Sequence, residues 1–406
     1  MWSDETVAQL KQLVKDKLDL SVSLTDEQLM EMIEHEVFAF PFQSYLTAGQ
    51  RHQLTMRLFH SFRGLDMIQP LVDDPSVTEI MINRYDRIFI EKEGRVCLTE
   101  VKFESKEKLE DVIQAIVSRV NRAVNEANPI VDARLLDGSR VNVVLSPISL
   151  DGAAMTIRKF PETPLTLNDL VAKGALTEEA ASLLIKLVRG KYNLFIGGGT
   201  GSGKTTFLNA LSQYIPDDER LITIEDSAEL QIRTVPNLIR METRNANTEG
   251  KGEITIRDLI RSSLRMRPNR IIVGEVRGSE ALDMLQAMNT GHDGSLSTGH
   301  ANSTEDMLSR LETMVLSGAA LPVEVIRKQI CSAIDVMIHL QRLRDRTRRV
   351  VEISEIIGME KGEVKLNRLF QFIESGEDES GKVLGELQPS GQLHHSEKLA
   401  MAGIQL

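Results

Sequence analysis

The chain has 406 residues, 41% of them hydrophobic and 26% charged, and its 59 acidic against 48 basic side chains leave a formal charge of −11. That length admits two or three domains of ordinary size, and the balance is that of a soluble globular protein rather than a disordered or fibrous one. An acidic surface with only 4% aromatic residues lacks the positive field and the stacking platforms that nucleic acid requires, so no nucleic-acid partner is expected. No stretch approaches the ~18 consecutive apolar residues of a membrane span. Residues 1–20 are acidic and amphipathic rather than basic and then apolar, which places the protein in the cytoplasm. Cys97 and Cys331 have no C-x-x-C partner, which argues against a disulfide framework or a thiolate zinc site and reads both as small buried hydrophobes.

Residues 1–70 carry apolar positions at helical spacing, among them Val7, Leu10, Val14, Leu29, Ile33 and Val37, and predict two to four helices with a strongly acidic face over residues 1–40. From Val77 the pattern changes to short β-rich runs at 77–82, 87–91 and 95–98, a helix over 106–120, and further strands at 140–145 and 153–160. This order suggests a compact α+β domain over 71–160. Pro161 and Pro164 interrupt any regular element, so 161–176 reads as a hinge or linker, although 166–173 already has helical character. A helix over 177–189 ends at Gly190. Strand and helix signals then alternate: strands at 193–196, 220–224, 237–241, 270–273 and 295–298, and helices at 204–213, 256–266, 279–289 and 304–316. Alternation of this kind implies an α/β domain, 177–373, with a largely parallel sheet. A helix at 322–333 and strands at 335–342, 348–358 and 363–373 would form its antiparallel end. Residues 374–406, rich in Gly, Ser, Pro and acid, read as a flexible acidic tail.

Gly198-Gly199-Thr200-Gly201-Ser202-Gly203-Lys204-Thr205 is a complete G-x-x-x-x-G-K-T loop between an apolar strand and a helix that opens near Thr206. Its glycines let backbone N–H groups converge on phosphate, Lys204 reaches the β- and γ-phosphates of ATP, and Thr205 holds Mg²⁺. In a parallel sheet ligands bind beyond the carboxyl ends of the strands. The polar residues that follow strands are therefore the candidates: Glu225 and Asp226, Glu275, and His300. Glu275 ends an apolar strand and is placed to align water for attack on the γ-phosphate, with an ion pair to Arg277 as its structural alternative. Glu225 could position metal or water or pair with an arginine. His300 could report the γ-phosphate or bond Glu275, while His292 reads as a positioning residue. Gly274 occupies the place where an acid would hold Mg²⁺. Arginines that could stabilise the transition state are Arg134, Arg140 and Arg158 before the hinge, and Arg233 and Arg240 after the acidic strand. Five further arginines, Arg342, Arg344, Arg346, Arg348 and Arg349, crowd a hairpin turn and read as a solvated loop or a contact for an acidic surface or lipid headgroups.

These four motifs in order, Gly198 to Thr205, Ile222 to Asp226, Arg267 to Arg277 and Thr290 to His300, resemble the Walker A, Asp box, Walker B and His box of the type II/type IV secretion ATPase superfamily. Asp132 to Arg140 and Thr156 to Phe160 are most similar to its CpaF/TadA-type branch, which powers tight-adherence (Flp) pilus assembly. The resemblance implies a RecA-like P-loop ATPase domain preceded by a smaller α+β, PAS-like domain and an N-terminal helical region. It also implies a homohexamer, an inner-membrane platform protein as partner, and peripheral association with that membrane. Arg140, Arg158, Arg233 and Arg240 would lie near the phosphates, Glu275 would be catalytic, and His300 would join it. The tetracysteine zinc module of many pilus extension ATPases is missing. Export of protein or DNA by a type IV secretion ATPase, and an ATP-gated scaffold with little turnover, stand as the competing readings.

Overall fold

A computed structural model describes residues 4–18, 24–42, 45–92, 94–119, 124–160, 163–246 and 250–405. Its contacts divide into two compact units, Met1–Glu162 and Thr163–Leu406. The prolines read as a hinge fall at this division, where residues 161 and 162 lie outside the described part.

The first unit begins with three helices, α1 (Asp4–Lys17), α2 (Asp26–Ala39) and α3 (Ala48–Arg63). Thr25 and Thr47 start the second and third as reciprocal capping boxes with Gln28 and Gln50, which satisfies otherwise orphaned N–H groups. Val7, Leu10 and Val14 meet Leu29, Ile33, Val37, Leu54 and Leu58 in a small core of their own. After α4 (Gln69–Asp73) come β1 (Val77–Arg84), β2 (Arg87–Lys92), β3 (Arg95–Leu98), α5 (Lys106–Arg119), β4 (Ile130–Arg134), β5 (Arg140–Val144) and β6 (Ala154–Arg158). The strands form one antiparallel sheet in the order β3-β2-β1-β6-β5-β4. Leu109, Val112, Ile113 and Ile116 of α5 share a core with Ile80, Ile82, Val141, Val143, Met155 and Ile157. Two findings differ from the sequence reading. Strand β4 was not anticipated, and Cys97 is exposed rather than buried, because β3 lies at the sheet edge with all four residues open to solvent.

The second unit runs α6 (Leu167–Ala172), α7 (Glu178–Arg189), β7 (Leu194–Gly198), α8 (Lys204–Ser212), β8 (Leu221–Glu225), β9 (Leu238–Glu242), α9 (Ile256–Ser263), β10 (Arg270–Val273), α10 (Glu280–Met288), β11 (Leu296–Gly299), α11 (Thr304–Gly318), α12 (Val323–Ala333), β12 (Val336–Arg342), β13 (Arg348–Glu360), β14 (Glu363–Glu377), β15 (Val383–Pro389) and α13 (Glu397–Met401). Its sheet has the order β15-β14-β13-β12-β7-β11-β10-β8-β9. Pairing from β12 to β9 is parallel, and from β12 to β15 antiparallel. Alternation along the strands separates two cores: Leu194, Ile196 and Ile272 join the apolar side chains of α6, α7 and α8, whereas Phe195, Ile222, Ile271 and Val273 join those of α9 to α12. The described part of 161–176 is therefore no free linker, since Leu167 and Leu170 of α6 are buried in the first of these cores.

The tail reading is corrected as well. Residues 374–405 complete β14, add β15 and end in α13, with Val383, Leu387 and Leu399 buried. Polar composition concealed this, because polar groups supply part of the anchoring. Tyr192 donates its hydroxyl to His395 O at 2.6 Å, Lys398 reaches Asp335 at 2.7 Å and Asp293 at 3.0 Å, and buried Glu355 accepts from His394 N and His395 N.

Candidate active site

Strands β7, β8, β10 and β11 are neighbours, and their carboxyl ends bring the four motifs to one edge of the second unit. Beyond β7 the loop turns through Gly201 (φ 71°) and Gly203 (φ 95°), left-handed conformations that favour glycine, into the first turn of α8. Gly198 is required for room: a Cβ there would stand 2.4 Å from Leu340 O and 2.6 Å from Ser202 Oγ. Lys204 is buried and donates to Gly198 O and Gly199 O at 3.0 Å each, and to His300 Nδ1 at 3.2 Å. Burial lowers its pKa from the usual lysine value.

Glu275 follows β10 after one residue, Gly274. Its Oε2 accepts from Arg277 Nη2 at 2.9 Å, and its Oε1 lies 2.8 Å from His300 Nε2. The histidine approach is close but out of line for a hydrogen bond, so Oε1 is left buried without a hydrogen-bond partner. The ion pair with Arg277, the structural alternative for Glu275, is thus present, and the other carboxylate oxygen stands beside His300. His300 has its pKa lowered first by burial and then by the Lys204 charge, which keeps the imidazole neutral and able to accept at Nδ1. The turn that carries Glu275 is tied to β11 by Thr298, whose hydroxyl donates to Gly274 O at 2.8 Å and whose carbonyl accepts from Val276 N at 2.9 Å. Sequence reading passed over Thr298, for which the only signal was its place in the His box.

Glu225 is placed differently from Glu275. It is buried, and its Oε2 accepts from Glu229 N at 2.7 Å and Leu230 N at 3.1 Å, so one oxygen organises the loop after β8. Burial pushes its pKa up to about 7. Its side chain also explains Gly274: a Cβ at that position would come within 2.9 Å of Glu225 Cγ. The methylene stem of Glu225, from the adjacent strand, fills the space that an acid before Glu275 would need. Asp226 is exposed and stands 3.9 Å from Arg277 Nη1. His292 faces Ala287 O at 3.1 Å through Nδ1, which ties its loop to the end of α10.

The arginines divide between the units. Arg134 pairs with Arg140, and Arg140 with Arg158, in a row across β4, β5 and β6 that continues to Glu79 on β1. In the second unit Arg233 is exposed in the loop before β9, and Arg240 is exposed on the edge strand β9, where its charge acts on Glu225.

Oxygen donors suit a hard cation. The Thr205 hydroxyl on the first turn of α8 and the unpartnered buried oxygens Glu225 Oε1 and Glu275 Oε1 meet that requirement. Among the described residues no group of three or more His, Cys, Asp or Glu could hold a metal ion.

A glycine loop with a buried lysine at the end of one parallel strand, and a glutamate and a histidine at the ends of the next two, define a P-loop ATPase that binds ATP. A family profile described as Type II/IV secretion system protein matches residues 62–374. The Type IV secretion system protein VirB11 of Brucella suis biovar 1 is 35% identical over 320 residues, covering 72% of this chain and 88% of that one. A Mycobacterium tuberculosis protein with a conjugal-transfer designation is 34% identical over 297 residues, covering 72% and 84%. The crystal structure of the pilus retraction motor PilT with bound ADP aligns with a TM-score of 0.53 at 18% identity, covering 83% of this chain and 86% of that one, a likeness of fold. The chain belongs to the type II/IV secretion system ATPase family, with a RecA-like domain preceded by a sheet domain and N-terminal helices.

Proposed function

We propose that this ATPase is the motor of a surface-filament or secretion machine, assembled as a homohexamer at the cytoplasmic face of the inner membrane, and that the filament is a tight-adherence (Flp) pilus driven through a membrane platform protein. One observation carries the ATPase chemistry: Lys204, His300 and Glu275 stand in contact at the carboxyl edge of three neighbouring strands. Lys204 exchanges its bonds to the two loop carbonyls for bonds donated to the β- and γ-phosphate oxygens. Glu275 orients the attacking water, and neutral His300 sits between acid and lysine where it registers the γ-phosphate. Thr205 would hold Mg²⁺, which when bound would supply neutralisation of charge on the transferred phosphoryl group. The arginine row Arg134, Arg140 and Arg158, with Arg233 and Arg240, is assigned to transition-state charge on the resemblance of its motifs. Among the described residues no helix is long and apolar enough to cross a membrane.

The relatives named for type IV secretion and conjugal transfer favour a second reading, export of protein or DNA by the same motor. Glu275→Gln tests the chemistry: ADP and ATP affinity should stay within a few-fold while phosphate release falls by on the order of 10²–10⁴. Undiminished hydrolysis removes Glu275 from its role. In cells carrying that variant, loss of surface filaments supports pilus assembly, and loss of a secreted protein or transferred DNA with filaments intact supports export.

A further inference from the structure

The five arginines of the β12–β13 hairpin do not behave alike. Arg344 binds Glu374 and Glu377, and Arg349 donates to Gly385 O and Val383 O and lies over Phe372. Arg342 and Arg348 face each other across the hairpin and have no carboxylate partner among the described residues. Both stand at the nucleotide loop. Arg348 Nε donates to Gly201 O at 2.9 Å, and its Cδ lies 3.3 Å from where a Cβ on Gly203 would be. Arg342 Nη1 is 3.9 Å from the same position on Gly201.

Two exposed guanidinium groups side by side repel each other, and only a ligand rich in acceptors turns that arrangement to advantage. The sheet order says which part of the ligand they meet. Glu275 and His300 follow β10 and β11 on one side of β7, while the hairpin lies on the other, beyond β12. Hydrolysis requires the γ-phosphate on the Glu275 side, so the nucleoside end is left to the hairpin side. We infer that Arg342 and Arg348 form a clamp for the nucleoside end of the bound nucleotide, so that the hairpin, rather than the P-loop, distinguishes a nucleotide from a bare polyphosphate. A guanidinium suits this task, since its planar donors reach base and ribose acceptors and its face stacks on a base. The inference rests on the ATPase reading of the same site.

Calorimetric titration of the full chain with ADP and with inorganic tripolyphosphate tests it. Arg342→Ala and Arg348→Ala should each weaken ADP binding by about tenfold, as expected for a lost charge-assisted contact, and leave tripolyphosphate binding within about twofold. Arg342→Lys should recover little, having lost the planar fork. Arg344→Ala, on the same hairpin but tied to Glu374 and Glu377, should alter neither affinity. Equal losses for both ligands would reduce the pair to a general positive field and overturn the clamp, as would unchanged ADP binding. If the unaltered protein bound neither ligand, the ATPase reading would fail with it; if it bound both and the variants matched it, only the clamp would fail. Thermal melting of each variant confirms folding, which these exposed side chains should not affect.

Discussion

Lys204 donates to His300 Nδ1 at 3.2 Å, so the lysine of the phosphate loop and the histidine three motifs later are one hydrogen-bonded pair. That bond fixes the proton of the neutral ring on Nε2, the nitrogen 2.8 Å from Glu275 Oε1. His300→Ala should cut phosphate release by about 10²–10³ while ADP affinity changes by less than about threefold. The pH sign follows from the lowered pKa. The unfolded chain binds the proton more readily, so the contribution of neutral His300 to stability is complete above the ordinary histidine value near 6.5 and is lost as pH falls through the lower folded value. Denaturant unfolding from pH 7.5 to 5 should show that loss, and a His300→Gln chain should show less of it.

Glu225 has the opposite sign. Its folded pKa of about 7 lies above the ordinary glutamate value of 4.5, so the folded state holds this proton more tightly. Its contribution is greatest below 4.5 and is lost as pH rises through 7, on the order of 3 kcal/mol over the window. Glu225→Gln keeps an oxygen for Glu229 N and Leu230 N but has no charge to bury. Urea unfolding should find the Gln variant more stable than the parent at pH 8 and nearly equal at pH 5; a steeper decline in the variant would show that the buried carboxylate is compensated.

The chemistry of the site was legible because phosphate binding fixes residue types at fixed spacing, and because strands buried on both faces, such as Leu221 to Ile224, read as continuous apolar runs. What sequence could not rank were choices made by tertiary neighbours. Glu225 and Glu275 both follow apolar strands, yet one turns to backbone N–H groups and the other faces Lys204 and His300 through the site. The hairpin arginines formed one cluster in sequence, and only strand pairing separates Arg344 from Arg348. Strand β4 was missed because Ile130 to Arg134 includes Asp and Arg at an edge of the sheet, where little needs burying.

Arg270 illustrates the same limit inside the core. It opens β10 fully buried, with Nε and Nη2 on Glu219 at 2.5 and 2.9 Å and Nη1 on Val188 O at 2.6 Å. Removing one partner of such a pair leaves a buried charge, so Arg270→Met should cost about 3–5 kcal/mol in denaturant unfolding. The double variant Arg270→Met with Glu219→Leu should recover much of that loss, because the buried carboxylate, left with only Lys191 at 3.7 Å in the single variant, is gone. A double variant as unstable as the single one would mean that packing, rather than charge, sets the cost.

The terminal helix α13 gives a prediction in which two destabilising changes relieve each other. Leu399 is buried in the core that includes α7, and Gly190 caps that helix at an ordinary φ of −76°, so glycine is needed there for space rather than for backbone conformation. A Cβ on Gly190 would stand 2.7 Å from Leu399 Cδ2. Gly190→Ala should therefore loosen α13, and Leu399→Ala should cost about 2–5 kcal/mol through the cavity it leaves. Together they should cost less than their sum by 0.5 kcal/mol or more, since the shortened side chain makes room for the new methyl group. Unfolding of the single and double variants measures the coupling, and limited proteolysis between residues 390 and 397 should be fastest in Gly190→Ala. Strict additivity would show that Gly190 and Leu399 do not share that space.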